Sequence, residues 1–180
     1  MHAIADIYKP DEWHDFFLMV GGGSAALTGL VFVAMSVNLA IILRDATHRS
    51  RAVGTLTSFA AVFIICGLTL MGGQTHVAIG IEWLVVSAAA GSVYVAGWVK
   101  AKRDGSSAVG LHVLRLAGGT GCYVAQVAGS ALLIAGYVAG LYVAAVAMVV
   151  LFAFMVSGAW LLLLGVHQDQ KRLASATAET

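Results

Sequence analysis

The chain has 180 residues, of which 60% are apolar or aromatic and only 11% are charged, with a formal net charge of +1. Soluble domains carry about 25% charged residues, so this composition excludes a water-facing globular surface and leaves a polytopic membrane protein with no room for a second soluble domain. A near-neutral balance also argues against a nucleic-acid partner, which requires a basic face.

In chain order, residues 1–15 form an outer interfacial segment. It holds Asp6, Asp11, Glu12 and Asp15 against Lys9, without the basic start and apolar core of a cleaved signal. Pro10 followed by two acids reads as a helix start. Apolar runs bounded by charge or turn residues then predict a transmembrane domain over 16–166, with helices at about 16–43, 53–73, 77–99, 113–135 and 141–166. Leu116 to Gln168 contains no Asp, Glu, Lys or Arg. As one helix it would be about 80 Å long against a hydrocarbon core of about 30 Å, so it must fold back, with Gly136-Tyr137-Val138-Ala139-Gly140 as the turn. Residues 167–180 form a cytoplasmic tail, of which 173–180 read as small, polar and mobile.

The fold class is therefore an all-α integral membrane protein, a five-transmembrane helix bundle. Of the ten basic residues only Lys9 falls at the outer end. Arg44, Arg49, Arg51, Lys100, Lys102, Arg103, Arg115, Lys171 and Arg172 fall at the other. Positive-inside retention then places the N-terminus outside and the C-terminus in the cytoplasm. Trp13, Trp83, Tyr137 and Tyr142 map to an outer aromatic belt and Trp98 to an inner one.

Small residues recur at four-residue spacing as Gly21, Ala25 and Gly29 in the first span and Gly121, Ala125 and Gly129 in the fourth. The third span offers Ala88, Ser92 and Ala96. Such seams let helix backbones approach, within one bundle or between subunits. Polar residues inside spans need a partner or water. Ser24, Thr28 and Asn38 fall on one arc of the first helix, interrupted by Val31 and Met35. Asn38 has three readings: lining an aqueous path, bonding across helices, or reaching the inner headgroups. Ser36, on another face, is expected to bond the carbonyl one turn back. Gln126 reads as an interhelical hydrogen bond or a substrate or ion contact. Asp11, His14, Asp15, His76 and Glu82 make a candidate outer cation cluster. None of them has spacing that sets two ligands on one helical face, so a solvated acidic rim is favoured and no metal is assigned.

Enzyme signatures fail. Gly21-Gly22-Gly23-Ser24-Ala25-Ala26 satisfies a dinucleotide pattern in form, yet no strand precedes it and phosphate has no place in hydrocarbon. All six histidines lie in loops or at helix ends, no paired carboxylates or lysine lie within a span, and Cys66 and Cys122 lack metal or disulfide spacing. No catalytic residue and no cofactor is expected.

Glu12-Trp13-His14-Asp15-Phe16-Phe17, followed by Gly21-Gly22-Gly23-Ser24-Ala25-Ala26-Leu27-Thr28-Gly29 and on through Ser36-Val37-Asn38-Leu39, resembles the first helix of a group of small bacterial membrane proteins of uncharacterised role. The resemblance covers about a fifth of the chain. It implies a bacterial inner membrane as a multi-pass protein and carries over no functional residue. The functional expectation is a non-enzymatic helix-packing or accessory component whose partners are the lipid bilayer and copies of itself or a larger membrane complex. The alternative is a homo-oligomeric channel lined by the first helix.

Overall fold

The computed structural model describes the backbone of residues 10–44, 46–103 and 109–178, and the side chains of 12–40, 42–43, 48–100, 103 and 116–160. The described chain contains α1 (Pro10–Val37), α2 (Leu39–Arg44), α3 (Ala46–Thr69), α4 (His76–Arg103), α5 (Val109–Ile134) and α6 (Ala139–Ala178). Five of these, all but α2, are long and apolar enough to cross a membrane, as expected of a multi-pass membrane protein.

Helix ends follow from local chemistry. α1 begins at Pro10, where a missing N–H costs nothing. Thr75 caps α4 by accepting the Ala78 N–H at 3.2 Å. The α5–α6 turn is a glycine-terminated cap: Gly136 adopts φ +86°, and the Tyr137 and Gly136 N–H groups return to Leu132 O and Leu133 O.

Two segments differ from the sequence reading. The first span is interrupted at Asn38, whose N–H turns back to Met35 O at 3.1 Å while its side-chain Nδ2 donates to Ala34 O at 2.9 Å. An asparagine amide competes with the backbone ladder in this way, so a short α2 continues beyond the tightened turn. Ile42 of α2 packs with Met35 and Ala52. The tail is helical as well, since α6 runs through Ala178. Its Gln, Lys, Arg, Leu and Ala residues are good helix formers.

Helices α3, α4, α5 and α6 form a closed ring in which each packs on the next and α6 returns to α3. α1 lies outside this ring against α3, with an edge on α6. The placement decides which span is interior. Of the apolar window, 56% is buried in α3 but only 28% in α1 and in α4. Ile79, Trp83, Leu133, Leu141 and Met148 are fully buried inside the ring. Rings fasten α1 at its N-terminal end, with Trp13 against Tyr142 at 5.0 Å and Phe17 against Trp83 at 5.7 Å. Trp83 is therefore a core residue rather than part of an aromatic belt, because its indole N–H finds Thr69 Oγ1 at 2.7 Å inside the protein.

The α5–α6 contact is the closest. A Cβ at Gly140 would lie 2.5 Å from Gly129 O and 2.6 Å from Leu133 N, and a Cβ at Gly129 would lie 2.9 Å from Ala144 N and Gly140 O. Only glycine lets these backbones meet. The two small-residue seams consequently split. Gly21 packs onto Cys66 of α3, whereas Ala25 and Gly29 are exposed. Gly129 packs onto α6 and Ala125 is half-buried, whereas Gly121 is exposed.

Candidate functional site

The polar side chains within the spans gather mainly inside the α3–α6 ring. At the end that carries Arg51, a small cleft of about 40 Å³ is lined by Ser50, Arg51, Thr55, Tyr94, Trp98 and Phe154, among others. Deeper in, Ser58 donates to Gly54 O at 2.7 Å, which commits its only proton. The 2.7 Å contact between Ser58 Oγ and Tyr123 Oη is then donated by Tyr123. Tyr94 stands over Tyr123 with ring centroids 5.8 Å apart.

Next along the axis come Ser87 of α4 and Gln126 of α5, each 1% exposed. Their register follows from contacts on either side. Gly91 packs on Tyr123, and Gly80 packs on Ser130 and Ile134. Ser87 lies between Gly80 and Gly91 as Gln126 lies between Ser130 and Tyr123, so the antiparallel pair sets the two at one level. Seven buried α5 positions, Gly119, Cys122, Tyr123, Gln126, Gly129, Ser130 and Leu133, span one arc at 100° per residue, and Gln126 is at its centre. Neither Oε1 nor Nε2 of Gln126, nor the Ser87 Oγ, has a hydrogen-bond partner among the described residues.

Towards the other end, Ser130 donates to Gln126 O at 2.8 Å, and Thr69 donates to Ile65 O while accepting from Trp83. Thr69 lines a second cleft of about 40 Å³ with His14, Phe17 and Gln74. The interior thus carries a discontinuous file of hydroxyls and one amide from one cleft to the other, with no charged side chain between them among the described residues. Neither cleft approaches the roughly 300–1,000 Å³ of a site for a drug-sized ligand. Water fits in each.

The first-helix residues are placed differently from one another. Ser24 is fully buried and donates to Phe59 O of α3 at 2.7 Å, joining α1 to the ring. Thr28 is half-buried and donates within its own helix to Ser24 O at 2.7 Å. Asn38 is half-buried and bonds Ala34 O as described, and Ser36 donates to Phe32 O at 2.8 Å. The arc carrying Ser24, Thr28, Val31 and Met35 is turned towards its own bundle.

At the outer-cluster positions, Glu82 accepts from Gln74 Nε2, 3.3 Å to each oxygen. His14 and Asp15 are exposed, and His76 is half-buried. The side chain of Asp11 lies outside the described residues. Among the described residues no three His, Cys, Asp or Glu side chains come together to hold a metal. Cys66 and Cys122 are buried free thiols, and the Cys66 Sγ points to Met148 Sδ at 3.7 Å.

Sequence reasoning singled out Gln126 but missed Ser58, Thr69, Ser87 and Tyr123. Serine, threonine and tyrosine are common in membrane helices, and no spacing separates those turned inward from those that bond their own helix. The signal lies across helices. Comparison of the chain with protein-family models, with curated proteins and with solved structures returns no match.

Proposed function

We propose that the chain is a non-enzymatic packing component of a bacterial inner membrane, assembling with copies of itself or within a larger membrane complex. The observation that carries this reading is the outer surface of α4, where Ala88, Ser92 and Ala96 are all exposed along one face. A matching feature lies on α1, where Gly22, Ala25 and Gly29 are exposed and nothing among the described residues approaches Gly22 or Gly29. Lipid gives no hydrophobic force between helices, so surfaces of this kind favour association by close van der Waals contact. The polar groups of α1 support the same reading, because Ser24 and Thr28 bond within the chain instead of facing outward. With nine of the ten basic residues at one end by the positive-inside rule, the N-terminus faces out and the C-terminus faces the cytoplasm. Oxidative cross-linking of Ser92→Cys in native membranes tests the assembly. A dimer band that wild type does not give, and that Ala88→Leu suppresses, is expected; monomer alone at every protein-to-lipid ratio argues against it.

A permeation pathway is the second reading, favoured by the file of interior polar groups between the two clefts. Its route would run inside the α3–α6 ring of one chain rather than around the first helices of several. Among the described residues no charged side chain lies between the two clefts, which favours a neutral solute over an ion. Solute flux in proteoliposomes of dilute, monomeric protein separates the two readings.

A further inference from the structure

The Gln126 side chain is the group that the bundle leaves most exposed to its own physics. A primary amide has an acceptor oxygen and two N–H donors, and burial without partners costs far more than a made hydrogen bond gains. Native interiors rarely keep such groups unpaired. At Gln126 both ends of the amide are buried and without a partner among the described residues, and Ser87 at the same level has a hydroxyl in the same condition. The other nearby hydroxyls are committed: Ser130 donates to Gln126 O, and Tyr123 donates to Ser58.

A direct bond between Gln126 and Ser87 would satisfy one end of the amide and leave the other. A molecule that both donates and accepts serves Oε1 or Nε2 together with the Ser87 Oγ, and a second one serves the remaining end. It must be small, because the interior of the ring is built of fully buried side chains such as Leu133 and Met148. It must be neutral, because among the described residues no charged side chain lies in the interior file to balance a charge. Buried waters typically make about three hydrogen bonds to such groups. We propose that Gln126 and Ser87 form an internal water-binding site at mid-depth of the bundle, between α4 and α5. It does not depend on whether the protein assembles or conducts.

The test is water-to-amide cross-relaxation in nanodiscs, using protein labelled with ¹⁵N at glutamine side chains. The chain contains only Gln74, Gln126, Gln168 and Gln170, so the spectrum is small. The Gln126 pair is identified by its loss in Gln126→Leu, or, if that variant does not fold, by elimination with Gln74→Ala, Gln168→Ala and Gln170→Ala. The expected result is a cross-peak of the sign of bound water at the Gln126 Nε2 protons, reduced several-fold in Ser87→Ala. Contacts from those protons to Ser87 with no water cross-peak would mean a direct bond and would overturn the proposal. A water cross-peak unchanged in Ser87→Ala would overturn the shared site.

Discussion

Substituting Gly140 by alanine drives a methyl group into the backbone of the neighbouring helix. The new Cβ would sit 2.5 Å from Gly129 O and 2.6 Å from Leu133 N, where ordinary contact begins near 3.4 Å. Both obstacles are main-chain atoms, so no rotamer change relieves them, and α5 and α6 must part by about 1 Å. Overpacking of this kind costs about 1–3 kcal/mol. A gap of about 1 Å also forfeits a quarter to a half of each dispersion contact along the seam. The upper end applies here, about 3 kcal/mol, or roughly a hundredfold in the unfolding equilibrium. The better helix propensity of alanine offsets at most about 1 kcal/mol of this. Gly121→Ala is the control, since nothing among the described residues lies within 4 Å of its added Cβ. Both variants are compared by reversible SDS unfolding in mixed micelles followed by far-ultraviolet circular dichroism. Gly121→Ala should be neutral or slightly stabilising. If the two variants unfold within about 0.5 kcal/mol of each other, the close approach of α5 and α6 is refuted.

Three further outcomes follow from the same geometry. Ser24→Ala removes the hydroxyl that joins α1 to Phe59 O, and the same unfolding assay should show a loss of about 1 kcal/mol, whereas Ser36→Ala, whose hydroxyl bonds its own helix, should change little. A double-mutant cycle of Ser58→Ala with Tyr123→Phe should give a coupling of about 0.6–1.7 kcal/mol across α3 and α5, and additive effects would mean that the 2.7 Å contact is not an interaction. Membrane-impermeant thiol labelling of intact cells should modify Thr75→Cys and spare Ser106→Cys, and the reverse pattern would invert the proposed topology.

The number of spans was legible because it depends on quantities summed along the chain: apolar length, charged boundaries and the Gly136 turn. The break at Asn38 was not, because the sequence left that residue to an aqueous path, a cross-helix bond or the inner headgroups and did not offer a bond to its own helix. Only the geometry shows the amide taking Ala34 O. Trp83 was misplaced for a related reason. Its position one residue after Glu82 suggests the interface, yet its burial depends on Thr69, on the preceding helix, offering an acceptor. The seams were visible as spacing, but spacing does not say which member faces inward. Gly21 and Gly129 meet neighbouring helices while Gly29 and Gly121 do not, a distinction set by how α1 and α5 are rotated. Gln126 was legible as a polar residue in a span. Its pairing in level with Ser87 required the α4–α5 register.

The proposal that this chain works by assembly is tested most directly by its mass in native lipid. Native mass spectrometry of the protein released from membrane-extracted nanodiscs should show a defined multiple of the 18.6 kDa chain. The combined variant Ala88→Leu, Ser92→Leu should reduce it to the single chain while keeping its helicity. A single chain in the wild type, at native expression and without dissociating detergent, would contradict the account.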